Sequence, residues 1–132
     1  MNAKMNKALQ SVIDLHILIE DVFTGNNKEE SLNQLLESFD NDFKMVTISG
    51  MRIGLTEVTA LFSQNRGGKP TLKITLQNIT PLYELENYCW IQYQEQQQTD
   101  NTNTLRTSVV CIKVESERCD WVYLHETPVL NK

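Results

Sequence analysis

The side chains whose types and spacing suit chemistry are His16, Glu20, Tyr93, Glu95, Arg106, Ser108, His125 and Glu126. His16 and Glu20 stand one turn apart on a helical pattern, so they share a face. A carboxylate beside an imidazole raises its pKa while burial lowers it, which suits a proton carrier near neutral pH. His16, Glu20 and Glu95 are therefore the candidate catalytic residues. Tyr93, Arg106, Ser108, Glu126 and His125 are the candidate ligand-binding residues, able to hydrogen-bond or polarise a small molecule. Each has a structural alternative. His16 could be a core histidine satisfied by Glu20 or by a backbone carbonyl. Glu95, Arg106 and Glu126 could be a buried ion-pair triad that fixes strand register. Tyr93 could pack its ring and tie its hydroxyl to a neighbour. No nucleophile–base pair is legible, so binding is the leading expectation and catalysis the lesser one. Two histidines on separate elements lack a third ligand at metal spacing, so no metal and no cofactor are expected.

The totals narrow the class. A chain of 132 residues, 40% hydrophobic and 22% charged, fits one domain over residues 1–132. A net charge of -5 without a basic block argues against nucleic acid. Runs such as Val109-Val110-Cys111-Ile112 are too short to span a bilayer, so no membrane partner is expected. Met1-Asn2-Ala3-Lys4 leads into an amphipathic helix and not into a secretory core. The odd set Cys89, Cys111 and Cys119 leaves at least one thiol unpaired, and a reducing cytoplasm is the simplest home.

Elements must bring the candidates together. Met5, Leu9, Val12, Ile19 and Phe23 form one stripe of a helix over Met5–Phe23, with His16 in its middle. Thr24-Gly25-Asn26-Asn27 ends it, with Gly25 as the left-handed cap. A second helix is predicted over Lys28–Phe39, burying Leu32, Leu35, Leu36 and Phe39. Asp40-Asn41-Asp42 makes a turn, and Phe43–Ile48 a short strand. A third helix runs from an N-cap at Thr56 to Ser63. Arg66-Gly67-Gly68-Lys69-Pro70 breaks it; two cations around a glycine pair could hold an anion or simply be solvated. Period-two alternation then marks Leu72–Gln77. Asn78–Asn87 reads as irregular, though Ile79 and Leu82 can carry the strand past a bulge. Strands follow at Tyr88–Gln98, Leu105–Glu115 and Trp121–Thr127. Helices ahead of a strand meander predict α+β, with three helices packed on a curved antiparallel sheet.

Register assigns the faces. Pairing Gln98 with Leu105 puts Cys89, Ile91, Val110, Ile112 and Val114 at one end of the inner face. The other end receives Tyr93, Glu95, Gln97, Arg106 and Ser108, with Glu95 diagonal to Arg106. On the last strand, pairing Glu115 with Trp121 sends Val122, Leu124 and Glu126 inward. A one-residue slip sends Trp121, Tyr123, His125 and Thr127 there instead. The first is favoured, because Val122 and Leu124 match the apolar end. Trp90, Val109, Cys111, Trp121 and Tyr123 then crowd the outer face, and a two-fold dimer would cover them.

This element order resembles the nuclear transport factor 2-like superfamily, the cystatin-like cone of SnoaL-like (polyketide-cyclase-like) proteins, ketosteroid isomerases and scytalone dehydratases. The tail Trp121-Val122-Tyr123-Leu124-His125-Glu126-Thr127, after Arg106-Thr107-Ser108-Val109-Val110, is similar to the end of the calmodulin-dependent kinase association domain. The resemblance covers the chain in pattern and about its last third in motif. It implies a conical pocket between the first helix and the concave sheet, and commonly a homodimer through the sheet. Activity, if present, would be cofactor-independent acid–base chemistry of isomerase, dehydratase or cyclase type. The alternative is a non-catalytic association module whose polar groups form a closed network.

Overall fold

A computed structural model describes residues 3–26 and 28–130. Its elements run α1 (Ala3–Thr24), α2 (Lys28–Glu37), β1 (Phe39–Val46), β2 (Arg52–Gly54), α3 (Leu55–Gln64), β3 (Lys73–Leu85), β4 (Tyr88–Gln98), β5 (Asn103–Glu115) and β6 (Arg118–Pro128). The strands form a 6-stranded sheet in the order β2-β1-β6-β5-β4-β3. Every pairing is antiparallel except β1 with β6. The sheet is open and curved, and the helices of the described residues pack on it, which makes the class α+β. No helix among the described residues is long and apolar enough to cross a membrane.

α1 buries Met5, Ala8, Val12, Leu15, His16, Val22 and Phe23 at helical spacing and lies across β3 to β6. Its C-terminus is closed twice. Gly25, at φ +81°, donates its N–H to the Asp21 carbonyl at 2.9 Å. The loop after α3 then donates Gly67 N–H to the Val22 carbonyl at 2.8 Å and Lys69 N–H to the Phe23 carbonyl at 2.9 Å. These bonds satisfy carbonyls that a helix end leaves open. The glycine-rich loop thus spends these amides on α1 and not on an anion. Asn27, placed by sequence in this cap, lies outside the described residues, as do Met1 and Asn2.

Several boundaries differ from expectation. Phe39 opens β1 and does not close α2; it is buried either way, so periodicity could not separate the two. Asp40-Asn41-Asp42, expected as a turn, lies within β1; the Asp42 N–H bonds Asp40 Oδ2 at 3.0 Å where the register against β6 shifts. β2 is short enough to escape an alternation test. α3 starts at Leu55, where Glu57 Oε1 accepts the Gly54 N–H at 2.7 Å. β3 runs on through the stretch read as irregular, with register shifts around Asn78 and Leu82. Pro81 is tolerated because β3 is an edge strand with no neighbour beyond it.

Two registers matter for the site. Gln98 pairs with Asn103, so the β4–β5 loop is two residues shorter than expected. A two-residue slip leaves every side chain on its predicted face, and places Glu95 directly opposite Arg106. On β6, Trp121 pairs with Ile112 while Tyr123 pairs with Cys111. One extra residue, Val122, is a bulge that flips the alternation. Trp121, Leu124 and Glu126 therefore all face inward. Trp121, expected on the outer face, is fully buried, and its indole N–H donates to Ser11 Oγ on α1 at 3.0 Å. The outer face keeps Trp90, Val109, Cys111 and Tyr123, joined by the exposed Tyr83, Leu85 and Tyr88.

Candidate functional site

His16 sits on the sheet-facing side of α1, and its two ring nitrogens have different partners. Nδ1 lies 2.7 Å from the Val12 carbonyl one turn back, and Nε2 lies 3.1 Å from Glu95 Oε1. A carbonyl only accepts, so Nδ1 carries a proton. Nε2 then meets a carboxylate oxygen across a hydrogen bond, and the bond needs a second proton. The ion pair His16⁺–Glu95⁻ supplies it. Burial pulls the imidazole pKa down, but the bond and charge of Glu95 outweigh it and the net shift is upward. Burial likewise pushes Glu95 up, while His16, then Gln97 and Arg106, bring it below the usual carboxylate range. Glu95 Oε2 accepts from Gln97 Nε2 at 2.6 Å, so both of its oxygens are engaged.

On the neighbouring strand β5, Arg106 donates from Nη1 to Glu126 Oε1 on β6 at 3.2 Å. That is its one hydrogen bond among the described residues, and its buried Nε has no partner. A guanidinium carries several N–H donors in a fixed fork, so much of its capacity is unused. Burial raises the Glu126 pKa and the nearby Glu95 charge adds to this, against the opposing pull of Arg106; the net is upward.

These four side chains form the polar floor of a cavity of about 300 Å³. Its walls are apolar and aromatic: Phe23 from α1, Phe39 from β1, Phe62 from α3, and Trp121 and Leu124 from β6. Lys69 and Asn65, both exposed, line its outer end, with Lys69 Nζ 5.0 Å from the centre of the Phe23 ring. The volume lies at the low end of the roughly 300–1,000 Å³ usual for ligand sites.

The structure brings four of the eight predicted residues together and separates the other four. His16, Glu95, Arg106 and Glu126 meet at the floor. Tyr93 and Ser108 share the inner face but do not line the cavity; both are fully buried, and they stand opposite each other with their hydroxyls as each other's nearest candidate partner. The Tyr93 ring meets His16 edge-on, with centroids 5.2 Å apart, and burial holds its hydroxyl well above the ordinary tyrosine pKa. Glu20 does not join His16. Its carboxylate accepts the Ile74 N–H of β3 at 2.7 Å and serves the sheet edge. His125 points outward, exposed, with Nδ1 3.0 Å from the Tyr123 hydroxyl. That is the side the favoured register gives it, since His125 pairs with Val109 of the outer face beyond the bulge. Sequence reasoning missed Trp121 as a wall, Gln97 as the second partner of Glu95, and Lys69 at the outer end. For Gln97 a signal existed, since it shares the face two residues beyond Glu95; for Lys69 the cation pair around the glycines was a signal for an anion, but nothing in a loop without period placed it at this cavity.

No protein-family model matches the chain, and no curated protein sequence does. Solved structures do match. A nuclear transport factor 2-like protein of unknown function from Pseudomonas aeruginosa is 26% identical, with a TM-score of 0.90 over 94% of this chain and 99% of that one. A candidate calcium/calmodulin-dependent kinase II association domain from Exiguobacterium sibiricum is 12% identical, with a TM-score of 0.68 over 100% of this chain and 98% of that one. A candidate dehydratase of the same family from Streptomyces avermitilis is 10% identical, with a TM-score of 0.67 over 92% and 99%. The chain has the fold of nuclear transport factor 2-like proteins, of the cystatin-like type.

Proposed function

We propose that this nuclear transport factor 2-like chain is a small-molecule-binding protein, with its ligand in the cavity between α1, α3 and the sheet. The observation that carries the reading is the unfilled floor. An association module with a closed polar network would have every buried donor satisfied. Here Arg106 makes one bond, next to an apolar space of ring-sized dimensions. An apolar cavity of about 150 Å³ already admits benzene. Titration of the protein with phenylacetamide, followed by the indole N–H signals of Trp121 and Trp90, tests it. Saturable movement of the wall residue Trp121, with the outer-face Trp90 still, supports the reading. Movement of Trp90 alone, or of neither, overturns it.

If the bound molecule is turned over, the chemistry is acid–base and Glu126 is its centre. Glu95 has both oxygens engaged, whereas Glu126 keeps one free and holds its proton more tightly than an ordinary carboxylate. The match to a candidate dehydratase suits this chemistry.

The aromatic outer face supports a second property, self-association. α1 and α3 lie on the inner side, so Tyr83, Leu85, Tyr88, Trp90 and Tyr123 have no helix over them. A second copy laid sheet against sheet would cover them. The three unpaired thiols suit a reducing cytoplasm.

A further inference from the structure

The charges around the cavity have a sign that the whole chain does not. Three cations line it, His16 paired as imidazolium, Arg106 and Lys69, against two carboxylates, Glu95 and Glu126; three minus two leaves +1. The chain as a whole carries -5 with its histidines neutral, and counting His16 as charged makes that -5 + 1 = -4. The unfilled hydrogen-bonding capacity has the same bias. Glu95 has both oxygens engaged by His16 and Gln97, and Glu126 keeps one oxygen without a protein donor, whereas the buried Nε–H of Arg106 has no protein acceptor. Donors in surplus require a ligand that brings acceptors. Among the described residues Lys69 has no carboxylate partner, and its ammonium rests on Phe23 at the outer end.

We propose that this site takes a compact organic monocarboxylate on an apolar, ring-sized body, its carboxylate held by Arg106 and its body against Phe23, Phe62 and Trp121. This rests on the reading of the cavity as a ligand site. Arg106 suits the role because its planar fork matches a carboxylate with two parallel bonds, which its single bond to Glu126 leaves possible. Glu126 is the group that must adjust. The charged groups around it are His16 on α1, Glu95 on β4 and Arg106 on β5. An incoming anion draws on Arg106 and repels Glu126, so Glu126 takes up a proton as the ligand enters. Its pKa is already raised before any ligand arrives.

The test compares three probes that share a benzyl group, by calorimetry and by the Trp121 indole signal: phenylacetate, its isostere phenylacetamide, and the cation phenethylamine. Phenylacetate should bind tighter than phenylacetamide by about tenfold or more, with phenethylamine weakest. Arg106→Gln, checked for its native circular dichroism, should erase the preference for phenylacetate and keep amide binding. Glu126→Gln leaves Arg106 in place. It should keep phenylacetate binding while removing the proton uptake seen on comparing two buffers of different ionisation enthalpy. Amide binding equal to carboxylate binding, or a preference for the amine, overturns the proposal and leaves the cavity reading standing. Binding of none of the three overturns both.

Discussion

At the level of single residues, His16 and Glu95 set the terms for the floor. They are 5% and 2% exposed, so the pair is sealed and not a wet acid–base couple at the surface. Removing one member of such a pair strands a buried charge, which costs about 3–5 kcal/mol. His16→Ala should lower the urea-unfolding free energy by that amount. A loss within about 0.5 kcal/mol, the scale of a surface change, would mean that the pair is open to water. The pair also makes stability depend on pH. The folded His16 pKa is raised, so its contribution is complete below the ordinary value of 6.5 and fades as pH rises through the higher folded value. The folded Glu95 pKa is lowered, so its contribution is complete above 4.5 and fades as pH falls through the lower folded value. Glu126 is raised, so its ionisation above 4.5 weakens the fold and flattens the acid side. Unfolding free energy should therefore peak between pH 4.5 and 6.5 and decline beyond neutral pH, measured by urea titration across the range. In Glu95→Gln the alkaline decline should disappear, because the group that holds the imidazole charged is gone.

Elements decide which residues can meet, and here the legibility of the sequence was uneven. Alternation along β4 and β5 placed Cys89, Ile91, Tyr93, Glu95 and Gln97 on one face correctly. The error of two residues in the hairpin loop was harmless, because side chains repeat every two. β6 was different. Neither continuous register read from Trp121–Thr127 is the true one; the strand follows one before Val122 and the other after it. A bulge has no compositional mark in a single strand, so the inward Trp121 was out of reach. Glu20 was misplaced for a related reason. Helical spacing puts it beside His16, but the edge of β3 offers an unpaired N–H, and the carboxylate went there. The close approach of α1 to the loop after α3 was equally invisible. It rests on Gly25, where an added Cβ would lie 3.3 Å from Gly67 Cα at a φ of +81°. Gly25→Ala should cost about 1–2 kcal/mol, from the left-handed conformation alone, with more if the loop is pushed away. Thermal unfolding checks it; an unchanged midpoint would show that the loop docks elsewhere.

At the scale of the molecule, one layer of sheet separates two faces of different chemistry. The inner face with α1 and α3 encloses the cavity, and the outer face offers Tyr83, Leu85, Tyr88, Trp90 and Tyr123. The class and the helix-on-sheet arrangement were readable, since they depend on period and order. The aromatic walls were not, because Phe23, Phe39, Phe62 and Trp121 come from four elements that only the folded chain assembles. If the outer face carries self-association, the chain should run as a dimer by light scattering on a sizing column. Trp90→Glu should shift it to monomer while leaving the cavity intact, because a charge in an apolar interface is unpaired. A wild-type monomer at all concentrations would remove that role. The most direct measurement of the central claim is a crystal structure of the protein soaked with phenylacetate. The account predicts density between Phe62 and Trp121 with the carboxylate on the Arg106 guanidinium. A cavity closed by its own side chains, or density confined to the outer sheet face, would contradict it.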